Sequence, residues 1–282
     1  MRRRFSAAYQ TEPLSALAVW SRRLAVFSLL AAVASIVVIR FGFLELRPAL
    51  ATFFGALACA GLSILVGLAA FAAIWQNGSR GMSLILLAFL INAAILAYPA
   101  YLAYQYRKLP AIHDITTDAI DPPRFDTLAP LRVTDGANSA VYAGLYSAEQ
   151  QRAAYPDIEP ITIDIAPQRA YELVLRIVNR RKWLIIDERP PQPPQRPGRI
   201  EAVARTPIMG FREDVSIRVA PDGDGSRVDI RSSSRFFEHD LGSNAARITK
   251  FTEDLNTAVD NIAPVKKLMT PAKPQAKGAT KR

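Results

Sequence analysis

Ala49–Trp75 reads ALATFFGALACAGLSILVGLAAFAAIW, 27 residues without a charged side chain. A membrane-spanning helix needs about 20 apolar residues, with roughly 17–25 tolerated, so this stretch places the chain in a bilayer. Its neighbours agree. Met82–Tyr106 gives another 25 uncharged residues and Leu24–Ile39 gives 16. The last is short, but Trp20, Arg22 and Arg23 can anchor one end, while Arg40 snorkels beside apolar Phe41–Leu44 at the other. Arginines ahead of an apolar run also suit a cleaved signal, and Ser21-Arg22-Arg23 is similar to a twin-arginine start. No small-x-small cleavage site lies near residue 40 and two further spans follow, so the sequence predicts an uncleaved anchor. Pro99 is expected to kink or end the third helix.

The charge divides sharply along the chain. Of the net +10, residues 1–108 contribute 10 basic and 2 acidic groups, residues 109–262 have 19 basic and 23 acidic, and residues 263–282 have 6 basic and none acidic. The part able to fold in water is therefore acidic and would repel phosphate, so no nucleic-acid partner is expected. Five arginines precede the first span and Arg80 lies in the second loop; Arg40, Arg47, Arg107 and Lys108 lie on the other side. The positive-inside bias predicts a cytoplasmic N-terminal segment 1–23 and an extracytoplasmic, periplasmic remainder after residue 108, in a cell inner membrane. A single cysteine excludes a disulfide framework, and two histidines with that cysteine exclude a recognisable zinc site. No metal or cofactor is expected.

Within the spans, Ala56, Ala60, Ser63 and Gly67 put small residues on one face of the second helix, a surface suited to close helix–helix association. Asn92 is the strongly polar group of the third span and reads as an interhelical hydrogen bond rather than part of a transport path. The second and third spans have no acidic, basic or histidine side chain at mid-depth, which argues against an ion-coupled transporter. Cys59 reads as a small apolar filler.

Residues 107–160 are rich in Asp, Thr and Pro and read as a connector, with one helical stretch over Ala140–Ala154. From 161 to 263 the pattern is that of an α+β domain. Ile161–Ile165 alternates as a strand, and Pro167 opens a helix with Ala170, Leu173, Val174, Ile177 and Val178 on one face. Trp183–Ile186 reads as a buried strand, Pro190–Pro197 as a stiff loop, and Arg199–Arg205 as another strand. Val215, Ile217 and Val219 then alternate against Val228 and Ile230 across Pro221–Gly225, a hairpin signature. A last helix, capped by Ser243 or Asn244, would bury Ile248, Phe251, Leu255, Val259 and Ile262. The expected fold is α+β: three N-terminal transmembrane helices, then an antiparallel sheet gripping a long C-terminal helix. The basic tail 264–282 is expected to be disordered, either solvated or drawn to anionic surfaces.

Four segments resemble the bacterial family known as domain of unknown function 1499: IHDITTDAIDPPRF at 112–125, YPDIEPI at 155–161, GFREDVSIRV at 210–219 and RSSSRFFEHDLGSN at 231–244. The combination is specific where any one alone would be weak, and it spans about residues 110–262. Members often carry membrane helices ahead of the domain. Two departures stand out: the family's Asp-Asp pair is Glu213-Asp214 here, and a glycine common after its Ser-Arg pair is Phe237. The resemblance implies fold and location rather than an activity.

The densest polar constellation is Glu213, Asp214, Arg231, Ser232, Ser234, Arg235, His239, Asp240 and Asn244. It reads either as a binding site for a polar or anionic ligand or as an ion-pair and capping network, with the network favoured. Strand parity sets Arg227, Arg231 and Arg235 on the face opposite Val228 and Ile230, and hairpin pairing can bring Asp214 to Arg231 or Arg235. Ser234, His239 and Asp240 supply the residue types of a hydrolase, but no Gly-x-Ser-x-Gly elbow positions the serine. His113 reads as a solvated linker histidine. Asp222–Ser226 mimics a calcium loop, but its twelfth position is Ser233, so a hairpin turn is favoured. The function that fits is a tethered module of the cell envelope binding a lipid-like ligand or an envelope protein. The alternatives are an envelope enzyme using residues 213–244, or a structural subunit of a membrane complex.

Overall fold

The computed structural model describes residues 12–192 and 196–262. Residues 1–11 of the expected N-terminal segment and the tail 264–282 lie outside the described residues. The chain divides into two compact units: Met1–Leu109 with Thr206–Phe211, and Pro110–Arg205 with Arg212–Arg282.

The first unit is built on three helices, α1 (Ala16–Phe41), α2 (Leu46–Asn77) and α3 (Met82–Lys108), each long and apolar enough to cross a membrane. The short first span gains its length from an early start. Ser15 caps α1 by accepting the Ala18 N–H, so the helix runs 26 residues with Arg22 and Arg23 inside it. At 1.5 Å per residue that is about 39 Å, ample for a bilayer core. Arg23 lies over the Trp20 ring, 5.4 Å from its centroid. Pro99 does not end α3, which continues to Lys108. The Leu14–Arg80 bridge joins the start of α1 to the α2–α3 loop, putting those two ends on one side of the bundle.

The helices meet through small side chains. On α1 the buried positions are Ala18, Ser21, Ala25, Ser28, Ala32 and Ser35; on α2 they include Ala56, Ala60, Ser63 and Gly67. The alternating three- and four-residue spacing keeps one stripe facing its neighbour, and small residues let backbones approach. A Cβ on Gly67 would sit 2.7 Å from the Phe89 ring and 2.9 Å from Ser21 Oγ. Ser21 and Ser63 exchange hydroxyl-to-carbonyl hydrogen bonds at 3.0 and 2.8 Å, and Asn92 Nδ2 donates to Ser63 Oγ at 2.9 Å. Asn92 is thus an interhelical pin, as its position implied. Ser28 and Ser35 return their hydroxyls to carbonyls one turn back. In the same unit Met209 is buried in a cluster with Phe53, Ala56 and Ile95, and Arg40 Nη1 donates to the Pro207 carbonyl at 2.8 Å.

The second unit is a six-stranded antiparallel sheet. Its strands are β1 (Asp114–Thr116), β2 (Ile161–Ile163), β3 (Leu184–Arg189), β4 (Gly198–Arg205), β5 (Arg212–Asp222) and β6 (Gly225–Ser234). The order is β1-β6-β5-β4-β3, with β2 also on β6. Register pairs Ile217 with Ile230 and Ile200, and Val219 with Val228. These side chains form one face, covered by α6 (Pro167–Arg180) and α7 (Ser243–Asp260). Phe251 and Leu255 of α7 are wholly buried there, and Trp183 stacks on Phe251. Truncating such a core phenylalanine costs about 3–5 kcal/mol.

Residues 107–160, expected as a connector, hold the end of α3, then β1 and two helices, α4 (Leu128–Thr134) and α5 (Leu145–Ala154). Phe125 and Leu128 pack with Val203, on the face away from α6 and α7. One strand expectation and one helix expectation change. The segment read as a buried strand is the sheet edge, with Leu184 64% exposed, and the helix expected from residue 140 begins at Leu145. The Asp222–Ser226 segment is a hairpin turn, with Asp222 paired to Gly225.

Candidate functional site

The sheet divides the nine candidate residues. Because successive side chains on a strand point to opposite faces, Glu213, Ser232 and Ser234 lie on the α7 face, while Asp214, Arg231 and Arg235 lie beneath the 114–142 segment.

On the α7 face, Glu213 is 2% exposed. Its Oε1 accepts from Ser234 Oγ at 3.0 Å and from Ser243 Oγ, and its Oε2 pairs with Arg247. Asn244 Nδ2 donates to Ser234 Oγ at 2.9 Å and to the His113 carbonyl at 3.0 Å; its Oδ1 accepts from Ser232 Oγ at 2.7 Å and from Arg247. Asp240, and not Ser243 or Asn244, caps the last helix: its oxygens accept the N–H groups of Gly242 at 3.0 Å and Asn244 at 2.9 Å. Burial holds the Asp240 carboxyl above its ordinary pKa, opposed by those two N–H donors. The buried Tyr155 hydroxyl has no hydrogen-bond partner among the described residues, and burial, reinforced by the charge of Asp240, pushes its pKa up to about 12.

On the opposite face, Arg231 grips Asp114 with two parallel bonds, Nε to Oδ1 at 2.9 Å and Nη2 to Oδ2 at 2.6 Å. It also donates to the carbonyls of Pro123 and Ala140, and lies 4.6 Å from the Phe125 ring centroid. Asp214 is wholly buried between two guanidiniums, Arg132 Nε at 2.7 Å and Arg235 Nε at 2.9 Å. Arg132 further donates to the carbonyls of Asn138, Ser139 and Ser233, and Arg235 reaches Asp135. Burial lowers the Arg132 pKa, and Asp214 opposes that shift. Along the same face Arg218 bridges Asp118, Asp121 and Asp229. Buried ions paired and hydrogen-bonded in this way fix the geometry of the segment against the sheet.

Asp114, Arg132, Glu201 and Arg247 were missed by the sequence reading, and Ser243, expected as a cap, turns its hydroxyl to Glu213. Glu201 is a wholly buried carboxylate on β4 whose oxygens accept the N–H groups of Asp126, Thr127 and Leu128 where α4 begins. Asp114 lay inside the first family-like segment, which was its signal; Arg132 had none.

Of the hydrolase residue types, Ser234 Oγ donates a hydrogen bond to Glu213, and His239 Nδ1 accepts the N–H of Leu241. His113, expected in a solvated linker, is half-buried beside β1, and burial lowers its pKa below 6.5. Among the described residues, no group of three or more His, Cys, Asp or Glu side chains is placed to hold a metal ion.

No curated protein matches the chain. The sequence profile described as "Protein of unknown function (DUF1499)" matches residues 114–255. That span begins at the carboxylate that pairs with Arg231 and ends at Leu255, the last buried residue of α7, so it takes in both layers on the sheet. The chain belongs to the DUF1499 family.

Proposed function

We propose that this protein is a multi-pass membrane protein that tethers an extracytoplasmic recognition module at the cell envelope. The N-terminus is cytoplasmic and the α+β unit periplasmic. The partner is a lipid-like molecule or an envelope protein. The observation that carries the reading is the fate of the polar cluster. Glu213, Asp214, Asp240 and the arginines around them spend their hydrogen bonds on one another and on backbone groups, which favours a braced binding scaffold over a reaction centre. The lysine and arginine bias of the loops supports the orientation.

A reporter fused after residue 262 tests the orientation: activity confined to the periplasm is expected, and activity confined to the cytoplasm overturns it. Native mass spectrometry of the full chain in mild detergent tests the recognition role. A retained small-molecule or protein mass, released on denaturation, is expected; a bare chain from its native membrane counts against it.

A further inference from the structure

Gly136–Ala148 (GANSAVYAGLYSA) is the longest stretch of residues 109–262 without an acidic or basic side chain, 13 residues in a region with 42 charged ones. Several of its large apolar side chains point outward, while Tyr142 turns in against Arg231. Val141 is 79% exposed, Leu145 82% and Tyr146 69%, and Val133 just before it is 83% exposed. An uncharged segment with large apolar groups turned to solvent, in a region otherwise dense in charge, marks a contact surface.

The chain itself says what covers it. Only residues 109–113 separate the end of α3 from β1, a reach of at most about 18 Å when fully extended. The second connection to the helical unit is 206–211, between β4 and β5. Both leave the sheet at one end: the His113 carbonyl accepts the Ser234 N–H at 2.8 Å, and the Arg212 carbonyl accepts the Arg235 N–H at 3.3 Å. Asn138, inside the uncharged stretch, binds that same end, donating its N–H to the Arg235 carbonyl at 2.7 Å and its amide to Phe237 at 2.8 Å. The exposed apolar stretch therefore starts at the tethered end of the domain.

We propose that Gly136–Ala148 is a lipid-contact surface, seated in the interfacial layer of the bilayer that α1, α2 and α3 cross. The stretch brings no charge to desolvate, and Tyr146 has the amphipathic ring that suits the headgroup level. The tether makes the contact intramolecular with respect to the membrane, so a surface too weak to bind vesicles alone is held there by effective concentration. The net acidic remainder of the domain is repelled by anionic headgroups, which leaves this uncharged surface as the one to face them. The inference rests on the membrane tether of the proposed function and is independent of which side the domain occupies.

The test uses the full chain with Cys59→Ala, its sole cysteine removed, reconstituted in phosphatidylethanolamine–phosphatidylglycerol vesicles. Single nitroxide labels go at Val141→Cys or Leu145→Cys. Leu65→Cys, on the exposed side of α2, is the lipid reference, and Asp224→Cys, at the far hairpin turn, is the water reference. Relaxation by oxygen against a water-soluble nickel chelate reports the surroundings. Oxygen-dominated relaxation at 141 and 145, resembling 65, is expected, and adding Leu145→Asp should return the 141 label to nickel access. Nickel access at 141 and 145 equal to that at 224 overturns the proposal. So does exclusion of both reagents, which would mean a protein partner or a second copy. Nickel access at 65 as well would overturn the tether instead.

Discussion

Gln151 holds both backbone hydrogen-bonding groups of Thr116: its Oε1 accepts the Thr116 N–H at 3.0 Å and its Nε2 donates to the Thr116 carbonyl at 2.7 Å. A side-chain amide here takes the place of a neighbouring strand. β1 is three residues long and pairs with β6, so its other edge would carry unpaired polar groups inside the protein. Gln151 closes that edge from α5.

Gln151→Leu keeps the volume and strips both bonds. Leaving two buried backbone groups unpaired should cost about 2–4 kcal/mol. Chemical denaturation in detergent of the full chain with Trp20→Phe and Trp75→Phe, which leave Trp183 as the fluorophore, reads the loss. A change within about 0.5 kcal/mol, the range of ordinary surface substitutions, would show that water replaces the amide without penalty.

Among the described residues, Asp214 is the sole carboxylate bonded to Arg132 and one of two bonded to Arg235. Asp214→Ala should cost about 3–5 kcal/mol by leaving buried guanidinium uncompensated. A triple alanine variant at Asp214, Arg231 and Asp240 should fail to fold. If the triple variant keeps its unfolding midpoint, the network is not structural and the cluster is free for chemistry.

Phe237 holds a left-handed backbone conformation, φ 67°, a region that favours glycine. A side chain there costs about 1–2 kcal/mol, of which glycine would return roughly 0.5–1 after its own entropy. Phe237→Gly should therefore raise the melting temperature by a few degrees, since the hydrogen bond from Asn138 goes to the Phe237 backbone carbonyl and survives. A fall would mean the ring contributes more than the strain removes.

The pH dependence has two opposed contributions. Asp240 has a folded pKa above its unfolded value, so its stabilising contribution is complete below about pH 4 and is lost as pH rises through the folded pKa. His113 has a folded pKa below its unfolded value, so its contribution is present above about pH 6.5 and is lost as pH falls through the folded pKa. Asp240→Asn should flatten the acid-side slope of melting temperature against pH, and His113→Gln the slope below neutrality. Unchanged slopes in both variants would remove these groups from the account.

Gly67→Leu should force α2 away from Phe89 and Ser21, with an overpacking cost of about 1–3 kcal/mol. Melting in detergent measures it; an unchanged midpoint would mean the helices do not pack through this face.

What the sequence disclosed follows from distance along the chain. The β5–β6 hairpin, the helix from Pro167 and the buried face of α7 were legible because period two and period 3.6 are local. So was the parity that sends Arg231 and Arg235 away from Ile230. Asp214 with Arg235 could be anticipated from hairpin pairing. Asp114, 117 residues from Arg231, could not, and neither could Arg132, because no spacing rule links segments that meet only in the finished sheet. The stripe of α1 also passed unread: alternating Ala and Ser at 18–35 makes no apolar contrast, though in a membrane small size is the signal.

The bond between Asp114 and Arg231 also has a clock in it. Synthesis at about 5–20 residues per second delivers the arginine roughly 6–23 s after the aspartate. Throughout that interval the segment that will cover the sheet has left the ribosome with no sheet to cover, and β1 has no strand to pair with. The domain is completed from its far end inward, so a chain that stops short of residue 234 loses more than its last strand and helix. It leaves the first fifty residues of the domain as exposed, unpaired polypeptide beside a membrane, and the cell must shield or destroy them.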